Sequence, residues 1–161
     1  YALIGHSERR IHNNENNDEI KLRAQTAINS NLKVILCVGE NSTDREEGKA
    51  LEYIEKQIND CLPSNFKNLV IAYEPVWSIG TGKIPSSLEI QEMHSHIKKI
   101  VYKISNKSIN VLYGGSVNTE NINEILKITN VDGVLVGGAS LKAKDFLAIY
   151  SAAVKHLDNS S

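Results

Sequence analysis

Cysteine, tryptophan, methionine and phenylalanine are scarce in this chain: two cysteines, one tryptophan, one methionine and two phenylalanines among 161 residues. Two cysteines cannot make a disulfide scaffold. Cys37 sits inside the apolar run VILCV and Cys61 on a helical apolar stripe, and neither has metal-ligand spacing, so both read as buried thiols. Charge of one sign is lacking too, since 18 lysines and arginines face 19 aspartates and glutamates. That balance provides no general field toward nucleic acid or an anionic membrane, so any basic site must be local. No apolar run is long enough to span a bilayer, and no charged-then-apolar leader opens the chain; both absences point to the cytoplasm. Glycine-serine linkers and low-complexity segments are missing as well, so residues 1–161 are expected to form a single domain.

What is present is an alternation. Five short β-rich runs, at 1–4, 33–38, 68–73, 109–113 and 133–136, each end in glycine, carboxylate or histidine. Between them lie stretches with helical period: Ile20, Ala24, Ala27 and Ile28; Leu51, Ile54, Ile58 and Cys61; Ile90, Met93, Ile97, Ile100 and Ile104; Ile122, Ile125 and Leu126; Phe146, Leu147, Tyr150, Val154 and Leu157. Capping boxes, Thr43 with Glu46 and Ser86 with Glu89, mark two helix starts. The strands read as continuous apolar runs without polar alternation, which predicts a parallel sheet covered on both faces. The class is α/β, and a barrel or an open doubly wound sheet both fit. Tyr1 to Ile4 already reads as the end of a strand, so residues of the fold are expected before it.

In a parallel sheet all strand C-termini share one face, and the loops after them build the site. Here those loops carry Gly5-His6-Ser7-Glu8-Arg9-Arg10, then Gly39-Glu40, then Glu74, then Gly114-Gly115-Ser116, then Gly137-Gly138-Ala139-Ser140. All five are expected to converge on one mouth. Either glycine pair alone is better read as a tight turn with positive φ, His6 alone as a surface or satisfied histidine, and Glu8-Arg9-Arg10 as a solvated cluster. Together they ask for more. Glu74 directly ends the apolar run NLVIAY, so it must be paired or functional. Two glycine pairs after successive strands can present amides to a phosphate. Pro75 fixes the chain beside Glu74, Trp77 supplies an apolar anchor, and Gly80-Thr81-Gly82 reads as the hinge of a cover that excludes water. One carboxylate base, a neutral imidazole donor at His6 and a phosphate site indicate proton shuttling beside a carbonyl, with no metal-ligand spacing and no nucleophilic triad.

The runs IGHSERR, CVGE, AYEPVWSIGTGK, LYGGSVN and VDGVLVGGASLK, in this order and spacing, closely resemble the triosephosphate isomerase family across the whole chain. The resemblance implies a (β/α)₈ TIM barrel, here incomplete with five parallel strands and their helices. It implies interconversion of dihydroxyacetone phosphate and glyceraldehyde 3-phosphate without a cofactor or metal, and no nucleic-acid or membrane partner. It makes His6 the electrophile that polarises the substrate carbonyl and Glu74 the base that moves the proton. Gly80 becomes the lid amide on the phosphate, and Ser116, Gly137 and Gly138 the fixed part of the phosphate cradle. Ser7 and Glu8 become supporting neighbours of the catalytic pair, Glu40 and Trp77 lid contacts, and Tyr113 a partner of the closed lid.

Two departures matter. Ser78 stands where alanine is common in the family. A complete barrel takes about 250 residues, or roughly 30 per unit, so five strands fall about three units short at the N-terminal side. Those units would hold the family's first-loop asparagine and lysine, whose place Lys83 is not expected to take, and the loop that makes most of the homodimer contact. The alternative is a noncatalytic truncated fragment with at most a phosphate site.

Overall fold

The computed structural model describes residues 1–64, 68–79 and 83–159. Strand and helix alternate as the sequence predicts: β1 (Ala2–Ile4), α1 (Ser7–His12), α2 (Asn17–Asn29), β2 (Val34–Val38), α3 (Ser42–Glu46), α4 (Ala50–Cys61) and β3 (Leu69–Tyr73). After a 3₁₀ turn at Val76–Ser78 come α5 (Ser87–Ser105), β4 (Val111–Tyr113), α6 (Ile122–Leu126) and β5 (Gly133–Val134), then a 3₁₀ turn at Gly138–Leu141 and α7 (Ala143–Asp158). The strands form one parallel sheet in the order β1-β2-β3-β4-β5, each pairing only with its neighbours in sequence. This is the incomplete barrel of the sequence reading, with slightly shorter strands; the last ends at Val134 rather than Val136.

The core explains the apolar runs. Val34, Leu36, Ile71 and Val111 are fully buried on the face that the helices cover, whereas at the alternate positions Leu3 is exposed and Ile35, Val70 and Leu112 are only half-buried, so the cover expected on both faces is complete on one. On α4, Ile54, Ile58 and Cys61 turn inward, and on α5 Ile90, Met93, Ile97, Ile100 and Val101 do so, at helical spacing. Both cysteines are free and buried, as read. No helix among the described residues is long and apolar enough to cross a membrane.

Three local expectations are corrected. The α3 cap is Asn41, whose side chain accepts from the Asp44 amide, in place of Thr43 with Glu46; Thr43 already lies inside the first turn. The box at Ser86 and Glu89 is present, and a second, unforeseen, joins Asn16 and Glu19. The stripe on α7 faces outward: Leu147, Tyr150 and Leu157 are exposed and only Ile149 is buried. Left-handed backbone falls on asparagine as much as on glycine, with φ of 61° at Asn31, 62° at Asn68, 54° at Asn106 and 71° at Asn130. The short asparagine side chain tolerates that region, and these residues turn the chain between elements. The paired glycines after β4 and β5 do not have positive φ, so they are there for another reason.

Candidate active site

Gly5 ends β1 with φ +74° and turns the chain so that His6 becomes the N-cap of α1. In that position the His6 ring reaches back, and Nδ1 accepts a 3.4 Å hydrogen bond from the Glu8 amide. A ring nitrogen that accepts from an amide carries no proton, so neutral His6 has its hydrogen on Nε2. That Nε2 lies 2.9 Å from Oε1 of Glu74. The other carboxylate oxygen, Oε2, accepts from the Ser7 amide in the first turn of α1 at 2.9 Å. The β1 turn thus aims an imidazole and an amide at the residue that ends β3.

Glu74 is buried, 2% exposed. Burial raises its affinity for a proton above the ordinary carboxylate range, and His6, the Ser7 amide and the Cys37 thiol each pull in the opposite direction. The Cys37 thiol is itself pushed well up by burial and by the Glu74 charge, and stays protonated. Gly114 is required here by space: a Cβ there would stand 3.1 Å from Cγ of Glu74 and 3.2 Å from the Tyr73 carbonyl. Gly39 is more constrained still, with a Cβ 1.7 Å from the Glu74 carbonyl oxygen. Close approach, not positive φ, accounts for these glycines.

A cavity of about 570 Å³ opens over the pair, lined by His6, Ser7, Glu8 and Glu74 on one side and by Gly114, Gly115, Ser116, Gly137 and Gly138 on the other. Ser116, Gly137 and Gly138 are exposed at its rim, and no atom lies within 4 Å of where a Cβ on either of these last two would stand. Gly138 heads a short 3₁₀ turn rather than the α-helix expected there. Loops from β1, β3, β4 and β5 line the mouth; the β2 loop does not, which corrects the expected convergence of all five. Glu40 instead lies beneath. It is fully buried, and its Oε1 accepts from Tyr73 Oη at 3.0 Å and from Trp77 Nε1 at 2.7 Å, with Arg45 Nη1 at 3.6 Å. Burial pushes the Glu40 carboxyl up. Arg45 also stacks 5.2 Å over the Trp77 ring, and Ser78 Oγ donates to the Pro75 carbonyl at 2.9 Å. The segment following Glu74 is therefore rooted by its tryptophan and serine.

Tyr113 is fully buried with its hydroxyl under Gly115, where a Cβ would come within 2.2 Å of the oxygen. That hydroxyl has no partner among the described residues, and burial raises its pKa to about 12. Gly80, Thr81 and Gly82 lie outside the described residues. Sequence reasoning missed Tyr73, which hides as the last letter of an apolar strand, and Arg10, read as part of a solvated cluster. Among the described residues no three histidine, cysteine or carboxylate side chains lie close enough to hold a metal ion.

A parallel β/α sheet with a buried carboxylate and an imidazole at the C-terminal mouth, beside a glycine-lined rim, defines the (β/α)-barrel class, whose loops carry the site. The comparisons with known proteins narrow this to one family. The family model described as triosephosphate isomerase matches residues 1–153. A triosephosphate isomerase of Chelativorans sp. is 45% identical over 160 residues, and one of Afipia carboxidovorans is 43% identical over 157. The crystal structure of triosephosphate isomerase from Bartonella henselae superposes with a TM-score of 0.86 at 37% identity over 93% of this chain. The chain belongs to the triosephosphate isomerase family. It spans 63% of the Chelativorans relative, 62% of the Afipia relative and 63% of the Bartonella chain.

Proposed function

We propose that this chain supplies the catalytic pair of a triosephosphate isomerase, with Glu74 as the base and His6 as the electrophile. The contact between His6 Nε2 and Glu74 Oε1 at 2.9 Å, with Nδ1 occupied by the Glu8 amide, supports this reading most directly. A substrate carbonyl that enters the cavity takes the Nε2–H from Glu74 and is polarised by it. The freed carboxylate removes a proton from the hydroxyl-bearing carbon beside that carbonyl, and the electron pair moves onto the carbonyl oxygen as an enediolate; a proton passes from the hydroxyl oxygen to that oxygen, with His6 Nε2 between the two, and Glu74 returns its proton to the former carbonyl carbon as the new carbonyl forms. A carboxylate raised by burial suits both halves, because it must accept the proton and then release it. Ser116, Gly137 and Gly138 would hold the phosphate by amides and hydroxyl at the rim, with Gly80 completing the shell. Ser7 and Glu8 steady the pair, Glu40 and Trp77 anchor the cover, and the Tyr113 hydroxyl is available to it. The substrate is a triose phosphate, the reaction needs no cofactor, and the complete enzyme is a cytoplasmic homodimer.

The test is to join the chain with the N-terminal β/α units of a relative and follow solvent deuterium entering dihydroxyacetone phosphate. Exchange should be present and should fall by at least roughly 10²-fold in Glu74→Gln, the loss expected for a positioned base. An inactive completed barrel that still protects a bound phosphate would favour the noncatalytic reading, and undiminished exchange in Glu74→Gln would remove Glu74 from the base role.

A further inference from the structure

Arg10 takes no part in the chemistry above, yet its guanidinium is committed to two strand ends. Nε donates to the Gly5 carbonyl at 2.8 Å and Nη2 to the Cys37 carbonyl at 3.1 Å, while Nη1 is held by Asn17 Oδ1 at 2.8 Å. Gly5 immediately precedes His6. Cys37 pairs with Ala72 in the β2–β3 ladder, two residues before Glu74.

The β1–β2 ladder stops at the pair of Ile4 with Leu36. Beyond it the strands part, since Gly5 turns away at φ +74° to present His6. Arg10 fills the gap as one more rung made by a side chain. A Cβ on Gly5 would stand 3.1 Å from Arg10 Nη2 and 3.2 Å from the Cys37 carbonyl, so the fit leaves little slack. A planar guanidinium reaches two diverging carbonyls at a fixed angle, whereas an ammonium is a single point.

Resting on the proton-transfer reading, we infer that Arg10 is a positioning residue that fixes the His6–Glu74 geometry by clamping the ends of β1 and β2. Its partners lie one residue from His6 and beside Glu74, so releasing them loosens both members at once.

The experiment uses the 161-residue chain with ¹⁵N-labelled histidine, at one neutral pH, with His6→Gln identifying the His6 signal among five histidines. In the parent the two His6 ring nitrogens should resonate far apart, one protonated and one accepting. Arg10→Met and Arg10→Lys should bring them together as the tautomers mix, the lysine variant less so. Arg9→Gln is the control: Arg9 shares α1 with Arg10, and the change breaks its ion pair with Glu15 in the following loop but should leave the signature in place. If both Arg10 variants keep the parent signature, or Arg9→Gln shifts it equally, the clamp is overturned. Should Arg10→Met fail to fold, Arg10→Lys decides by the same criterion. A completed barrel without deuterium exchange but with an Arg10-dependent signature would sink the proposed function and leave the clamp standing.

Discussion

His94 on α5 is fully buried, edge-on to Tyr73 at 5.9 Å, with Nδ1 against the Asn130 carbonyl at 3.2 Å and Nε2 without a partner among the described residues. Burial lowers its pKa to about 4. Above pH 6.5 the imidazole is neutral folded and unfolded alike. Between about 6.5 and 4 the unfolded chain binds a proton that the folded one refuses, so stability falls as pH falls, by up to roughly 3 kcal/mol. His94→Gln should flatten that part of the stability profile, measured by urea unfolding across the range. An unchanged slope would show that His94 is not the group responsible. Glu74 and His6 were legible in sequence because a carboxylate ending an apolar strand, and a histidine at a strand-to-polar turn, break the surrounding pattern. Arg10 and Tyr73 were not, since their partners are a strand-end carbonyl and a carboxylate dozens of residues away.

At the scale of the element, periodicity located the five helices that carry an apolar stripe and missed the short α1 and α3, which have none; the other errors lie at the ends and in direction. Asn41 and Thr43 both suit a cap, and the choice depends on where the chain leaves β2, which composition does not encode. Asn41→Ala should therefore destabilise the chain by about 1 kcal/mol, and Thr43→Ala by a few tenths, in thermal or urea unfolding. The reverse order would restore the Thr43 cap. The α7 stripe has an ordinary helical period, yet period alone does not say what lies opposite; in this chain nothing described covers Leu147 and Tyr150.

For the whole molecule, the sheet order leaves one side of β1 and one side of β5 unpaired among the described residues. Tyr1 and Leu3 are exposed at the first edge, and Phe146, Leu147 and Tyr150 on the helix beside the last. Unpaired edges next to apolar surface recruit other strands. The chain alone should scatter light as a species heavier than its 17.8 kDa, and a segment offering the relatives' N-terminal units should dissolve that association. A monodisperse 17.8 kDa particle would contradict this. The same neighbour-only pairing sets how the chain can assemble in time. Each new strand closes a loop of only roughly 20–40 residues onto the one just laid down, so the entropy of ordering is met in instalments. A chain leaving the ribosome can thus add one strand and its helix at a time, and β2 need not wait for β5 to find its place.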